Sequence, residues 1–296
     1  LTGSCVEPAE RDALDLYGRA EDMSRSAALR AAASLNLGSA ASPALPVTVF
    51  SANPSLRRAP VEFECMADYR PFWKGQWRLR LFRADGREVV CQEERPEALL
   101  PFNDWRRRVS FIDDLPGVGV SRYFIKAVEE KSEKKRGHVP AALVHRIDRT
   151  AGLVTSLKAG LAGEALAGPL LEPLVVEDTA DSWGTGRTSY RKIAGRFRPA
   201  GRPSVIEQGP VRTVTRSILV YRNSRIVIDA VSYPRWPVLE FRLRVVWNEE
   251  RRRLKLRVPT ALASAGLLCE VPGGAIRVLR LRGSHTRVKG NSGPGK

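Results

Sequence analysis

The chain has 296 residues, with 49 Lys or Arg against 32 Asp or Glu and a formal net charge of +17. This length can bury a substantial core and predicts two or three domains, whereas the absence of any apolar run of about 18 residues excludes a typical transmembrane helix. The four Cys, at positions 5, 65, 91 and 269, form no Cys-x-x-Cys pair, so neither a structural zinc site nor a redox motif is indicated.

The first part of the chain is predicted to be helical. Over residues 9–37 alanines and leucines recur at helical spacing, acids lie early in the run, and Gly38 is expected to end it. We assign residues 1–42 to this helical segment, which is too short to fold alone. The sequence lacks an initiator Met and a signal pattern, so we expect an internal piece of a longer protein, whose compartment stays unknown.

The next part, residues 43–128, has the pattern of a small β-sandwich domain. Residues 77–82 alternate between apolar and charged side chains, and an Asp85–Gly86 turn then leads into residues 87–91, which predicts a hairpin. Further strands are predicted at 46–50, 106–112 and 121–128.

Residues 129–278 are predicted to form a larger antiparallel β-sandwich. Val238–Trp247 gives the clearest strand, because its odd-numbered residues are apolar and most of its even-numbered ones are charged. A hairpin is predicted around Asn223–Ser224. Residues 279–296 form a basic tail without acids and with little apolar content, so we expect it to be disordered.

Basic residues are concentrated in one part of the chain. Residues 186–260 carry 18 Arg and Lys against five acids, a balance that suits nucleic acid, an acidic partner or a membrane surface. Because these Arg alternate with apolar residues in predicted strands, a solvated sheet face is favoured. The sequence shows no basic helix, zinc-finger spacing or RNA-binding aromatic signature. We therefore expect no nucleic-acid or membrane partner, and a basic nucleic-acid-binding protein is the less favoured alternative.

A glycine-rich turn carries the most informative residues. Between two predicted strands, residues 175–197 place Glu177, Asp178, Asp181 and Trp183 close together. Carboxylates accept hydroxyl protons and an aromatic face packs on C–H groups, so this combination suits a sugar. The alternative is a β-turn whose acids cap backbone N–H groups while Trp183 packs on the sandwich. The sequence leaves both open.

The same stretch resembles a segment of the glycoside hydrolase family 38 α-mannosidases, which commonly read Glu-Asp-x-Ser-Asp-Thr-Trp-Ser-His-Gly. The matching positions are Asp178, Asp181, Trp183 and Gly186. Thr185 stands where the family often has His. The resemblance yields four candidates to border the substrate: Asp178, Asp181, Trp183 and Arg187.

Further segments resemble the family in the family's own order. They are residues 46–54, 147–157, 209–212 (Gly-Pro-Val-Arg), 246–255 and 270–276. The order is similar to the C-terminal half of these enzymes, which comprises the end of a helical middle domain (a three-helix bundle) and the β-sandwich domains. The resemblance thus implies a mainly β fold: a short N-terminal helical segment, a small β-sandwich, and a large galactose-mutarotase-like super-sandwich.

The resemblance also implies an activity. Leu1-Thr-Gly-Ser4 is similar to the end of a family motif, His-His-Asp-Ala-Ile-Thr-Gly-Thr, in which a His ligates zinc. The implied parent is a retaining α-mannosidase, with its zinc and its nucleophile in an N-terminal barrel that is missing here. The implied partners are that barrel and an α-mannoside or glycan substrate.

The residues themselves offer no catalytic or metal site. The three His, at positions 138, 145 and 285, show no ligand spacing, so we expect no catalytic residue and no zinc in this chain. The alternative is a stand-alone carbohydrate-binding β-sandwich without catalysis. Linkage specificity and oligomeric state stay open.

Overall fold

A computed structural model describes residues 6–35, 44–54, 58–66, 76–96, 106–130, 140–158, 163–180, 189–261, 266–271, 274–279 and 287–288. The chain is mainly β, with an N-terminal helix followed by antiparallel sheets, which confirms the predicted fold class. We call strands β1–β7 the small β unit and strands β8–β20 the large β unit. The predicted domain boundaries at residues 42, 128 and 278 stay predictions.

Helix α1 spans Glu7–Leu35. Glu7 and Glu10 lie in its first turn, where negative charge is favourable beside the exposed N–H groups, and Pro8 is tolerated there because its missing donor has no helical partner. Arg11 and Glu7, which are one helical turn apart, form an ion pair with a nitrogen–oxygen distance of 2.9 Å, and this pair adds a small stabilisation. Several large apolar side chains of the helix are exposed, including Leu16 and Met23.

The small β unit consists of two sheets that enclose one core. One sheet has the strand order β1-β7-β3-β4 and the other β2-β6-β5. The strands are β1 Leu45–Ser51, β2 Arg58–Met66, β3 Gln76–Arg83, β4 Glu88–Val89, β5 Cys91–Glu94, β6 Arg106–Asp114 and β7 Gly119–Glu130. Alternate residues of β3, β6 and β7 supply the core, in which the Phe111 and Tyr123 rings meet edge-on with centroids 4.9 Å apart.

The predicted hairpin at the Asp85–Gly86 turn is present, but the strand after it divides. Gly86 has φ 86°, a left-handed conformation that favours glycine, and Asp85 accepts a hydrogen bond from the backbone N–H of Arg87. Glu88–Val89 pairs with β3, whereas Cys91–Glu94 pairs with β6 in the opposite sheet. The chain therefore changes sheets at Val90, a bend that helps to close the sandwich.

The large β unit is built around the sheet β12-β14-β15-β16, with β13 also paired to β14. Its strands are β8 Val144–Ile147, β9 Val154–Lys158, β10 Glu172–Glu177, β11 Ile193–Arg196, β12 Arg198–Pro199, β13 Ser204–Gln208, β14 Thr213–Tyr221, β15 Ser224–Tyr233, β16 Trp236–Val246, β17 Arg252–Arg257, β18 Gly266–Val271, β19 Gly274–Leu279 and β20 Arg287–Val288. Strand β20, which pairs with β19, falls in the predicted tail. Most of the tail lies outside the described residues, and its disorder stays a prediction.

The tyrosine of the small-unit core predicts a pH dependence. Tyr123 is buried and its hydroxyl donates to Asp113 Oδ2 at 2.9 Å. Burial, and secondly this hydrogen bond, raise the pKa of Tyr123 from 10.0 to about 12. Since the folded pKa is the higher one, the associated stability is complete below pH ~10 and is lost as the pH rises through about 12. We expect a loss of about 2 kcal/mol across this window.

Urea unfolding at pH 8, 10 and 11.5 measures this loss. Tyr123→Phe should reduce the decline in the free energy of unfolding with pH, whereas Tyr17→Phe on the exposed helix should leave the decline unchanged. Part of the decline should persist in Tyr123→Phe, because burial, and secondly a hydrogen bond to Glu240, also raise the pKa of Tyr233. An identical decline in wild type and Tyr123→Phe would contradict the assignment.

Candidate functional site

The predicted sugar-facing turn joins two neighbouring antiparallel strands, as its sequence indicates. Strand β10 enters it and β11 leaves it, with Val176 opposite Ile193, while β17 pairs with the other edge of β10. Of the four candidates for substrate contact, Asp178 is among the described residues. Asp181, Trp183 and Arg187 lie outside them, so their placement stays a prediction.

Asp178 stands directly after β10 and is half-buried. Its backbone N–H donates to the carbonyl of Arg251 at 3.1 Å, and its Oδ1 accepts a hydrogen bond from the N–H of Ala180 at 3.3 Å. Its Oδ2 accepts from Arg253 Nε at 3.0 Å. The carboxylate thus caps a turn and pairs with a guanidinium, so it fixes where the turn begins.

Strand β17 places cationic and aromatic groups beside this carboxylate. The guanidinium of Arg253 lies 3.8 Å from the centroid of the Tyr190 ring, a cation–π contact, and Lys255 Nζ donates to the Tyr190 carbonyl at 2.7 Å. We call Asp178, Tyr190, Arg253 and Lys255 the turn-base cluster. It places an aromatic ring, a carboxylate and two cations side by side, which are kinds of group that contact polar ring-shaped ligands, although Arg253 already holds the carboxylate and covers one face of the Tyr190 ring.

Sequence reasoning missed Tyr190, Arg253 and Lys255 as members of this site. Tyr190 was visible in the glycine-rich stretch, but nothing local marks Arg253 and Lys255. They reach the turn because Arg253 stands opposite Val176, and Lys255 opposite Leu174, in the β10–β17 register. A prediction of that strand pairing would have been the necessary signal.

A second polar cluster lies where the two β units meet. Arg212, the residue before β14, is only 1% exposed. Its Nε donates to Glu207 Oε2 at 2.7 Å, and its Nη1 forms an ion pair with Glu62 of the small unit. Glu207 also pairs with Arg108 of the small unit. Burial lowers the pKa of Arg212, but the bonds to Glu207 and Glu62 outweigh burial and raise it. Arg212 is therefore a buried cation that bridges the units.

Gln92 completes this bridge through the backbone. Its side chain is fully buried, and its Oε1 accepts hydrogen bonds from the N–H groups of Val211, at 3.1 Å, and Arg212, at 3.0 Å. Gly209 permits this approach, because a Cβ there would lie 2.4 Å from Gln92 Cδ. We call Glu62, Gln92, Arg108, Glu207 and Arg212 the inter-unit lock. The motif Gly209–Arg212 thus has a structural role.

Residues 147–157, another segment that resembles the family, contain a turn organised by Asp148. Asp148 Oδ1 accepts hydrogen bonds from the N–H groups of Thr150, at 2.8 Å, and Ala151, at 2.6 Å. These bonds hold the pKa of Asp148 below its ordinary value. Gly152 follows with φ 70°, and a Cβ there would lie 3.2 Å from Ser217. Asp148 therefore organises the β8–β9 connection.

In the part of the chain that the structure describes, no group of three or more His, Cys, Asp or Glu is placed to hold a metal ion. His145 Nδ1 lies 3.1 Å from the carbonyl oxygen of Leu143, while His138 and His285 lie outside the described residues. The assignment of zinc to another part of the parent enzyme stays a prediction.

No described helix has the length and apolar character needed to cross a membrane.

Comparison with known proteins finds likeness in structure rather than in sequence. No protein-family model matches the chain, and no curated protein sequence matches it significantly. An α-mannosidase from Enterococcus faecalis V583 superposes with a TM-score of 0.67 and 13% identity, over 90% of this chain and 37% of that one. A glycosyl hydrolase family 38 protein from Enterococcus faecalis gives a TM-score of 0.59 and 10% identity, over 80% of this chain and 35% of that one.

This likeness defines the class of fold. The chain has the fold of the β-rich C-terminal part of family 38 α-mannosidases, as the ordered motifs predicted. It spans little more than a third of the length of the two solved structures.

Proposed function

We propose that this chain is the C-terminal portion of a retaining α-mannosidase that hydrolyses terminal α-D-mannosides in glycans or oligosaccharides. The observation that supports the proposal is the fold likeness over 90% of the chain to an α-mannosidase of which it spans 37%. In this proposal the catalytic barrel, with its nucleophile and zinc, lies outside the chain.

The structure suggests what the β units contribute to such an enzyme. The inter-unit lock joins the two units through buried, charge-assisted hydrogen bonds, and a rigid support of this kind holds a substrate site in position. The turn-base cluster fixes the chain on both sides of residues 181–188, at Asp178 and at Tyr190. We therefore propose that the turn is held towards the barrel and that Asp178, Asp181, Trp183 and Arg187 border the substrate.

Extending the coding sequence upstream of Leu1 tests the proposal. The longer product should contain a barrel, hydrolyse an aryl α-mannoside, and lose that activity on chelation. Turnover with retention of configuration would identify the double-displacement mechanism. If the longer product is inactive on every mannoside while this chain binds mannose-containing glycans, the stand-alone carbohydrate-binding alternative is correct.

A further inference from the structure

A cleft of about 300 Å³ lies at the junction of the two β units, and no role assigned above involves it. The small unit contributes the start of β2, the β3–β4 turn and the ends of β3 and β6. The large unit contributes the loop before β14 and the turn between β15 and β16. Four arginines line the cleft: Arg58, Arg83, Arg87 and Arg235. Ligand pockets of this size are common at domain junctions.

The acids of the cleft are already engaged by cations. Asp113 is 5% exposed and accepts hydrogen bonds from Arg83, from Tyr123 and from the N–H of Asp114. Asp114 pairs with Arg58 at 3.0 Å. The negative charge of these two carboxylates is therefore already neutralised within the protein.

The third acid, Glu88, is held from outside the cleft. Its Oε1 accepts from Arg80 Nε at 2.8 Å, and Arg80 does not line the cleft. The negative charge of Glu88 is thus neutralised by an arginine outside the cleft. Of the four lining guanidiniums, Arg87 pairs at 2.6 Å with Asp85, which does not line the cleft, so the pairs described leave the cleft with one excess positive charge.

Arg235 carries this excess. It lies in the turn between β15 and β16, is exposed, and forms no ion pair within the described part of the chain. The side chains of Arg58 and Arg83 are 40% and 36% exposed, so each keeps N–H donors accessible besides the one used in its ion pair. A guanidinium has five donors in a planar fork that matches a carboxylate or phosphate.

The remaining wall of the cleft is apolar. Val89, Val90, Ile112, Pro210 and Val211 line it, and aliphatic side chains accept the C–H surface of a compact molecule but not its charge. We propose that this inter-unit cleft binds an oxyanion, phosphate or carboxylate, carried on a compact polar molecule such as a sugar phosphate or sugar acid. The inference goes beyond the proposed function and stands without it.

Titration calorimetry of this chain at low salt tests the site, with mannose 6-phosphate, glucuronate, inorganic phosphate and neutral mannose as probes. At least one sugar anion should bind saturably with 1:1 stoichiometry, and neutral mannose should not bind at the cleft. Tighter binding of the phosphate ester identifies phosphate as the recognised group, and tighter binding of glucuronate identifies carboxylate. Saturable binding of inorganic phosphate alone would overturn the assignment of a carrier molecule.

Point variants distinguish binding at the cleft from nonspecific attraction of anions to the positively charged protein. Arg235→Gln should weaken binding about tenfold, as expected for the loss of one charge-assisted contact. Arg225→Gln, an exposed arginine of β15 outside the cleft, is the matched control and should leave binding unchanged. Asp114→Asn should tighten binding, because it releases Arg58. Equal weakening by Arg235→Gln and Arg225→Gln, or no saturable binding of any anion, would overturn the proposal.

Discussion

Replacing Arg212 with Ala should lower the free energy of unfolding of this chain by about 3 kcal/mol, because it removes a buried cation and leaves Arg108 as the remaining cationic partner of the nearly buried Glu207. The Glu207 side chain is 9% exposed and faces Arg212 Nε at 2.7 Å. Glu62 loses its contact with Arg212 at the same time. Urea unfolding followed by circular dichroism measures the change. Arg106→Ala, which breaks an exposed pair with Glu64, is the matched control and should cost less than about 1 kcal/mol.

The cost should come from the unbalanced charge rather than from lost volume. Adding Glu62→Gln to an Arg212→Met variant removes one cation and one carboxylate and leaves Glu207 paired with Arg108, so it should recover part of the stability. A loss below about 1 kcal/mol for Arg212→Ala, or no recovery in the double variant, would show that the lock contributes little.

The second large effect concerns activity: this chain by itself should hydrolyse an aryl α-mannoside no faster than buffer and should hold no stoichiometric zinc. A retaining glycosidase needs a nucleophile and an acid/base carboxylate about 5 Å apart across the sugar. Two carboxylates at turns already have partners, since Asp178 bonds to Arg253 and Asp148 to backbone N–H groups. Because every ~1.4 kcal/mol of lost transition-state stabilisation is tenfold in rate, the deficit should be complete.

The comparison uses the chain, its longer upstream product and one variant of that product. The longer product should turn over the substrate and lose activity with a chelator. Trp183→Ala in it should raise KM more than it lowers kcat if the turn borders the substrate. Bound zinc together with turnover above the buffer rate in the chain alone would place the active site here after all.

Local pattern predicted much of the sheet structure, as β16 and the β14–β15 hairpin illustrate. Alternation over residues 238–247 identified β16, because its odd-numbered side chains include Phe241 and Leu243, which pack against the core. The predicted hairpin turn was one residue too late. Tyr221 pairs with Ser224, and the loop is Arg222–Asn223, with Arg222 at φ 46°. Ser224 joins the strand because its hydroxyl bonds to Glu249 and to the N–H of Asn248.

Local sequence pattern could not predict the contacts that organise the candidate sites. Gly209 and Arg212 were recognised as part of a motif, but Gln92 is 120 residues from Arg212, and Glu62 is 150 residues away. Likewise, Arg253 joins Asp178 across 75 residues. Such pairings depend on which strands become neighbours, and spacing along one segment carries no information about that.

The same sequence separations determine how long after Gln92 and Glu62 their partner Arg212 is synthesised. The small β unit, with Gln92 and Glu62, leaves the ribosome long before Arg212, which follows Gln92 by 120 residues. At about 5–20 residues per second, the delay is roughly 6–24 s. During this time the Gln92 acceptor, which is destined for burial, and the Glu62 carboxylate are still hydrated. The future junction of the nascent small unit therefore carries hydrated polar groups beside its apolar residues until Arg212 arrives and bonds to both.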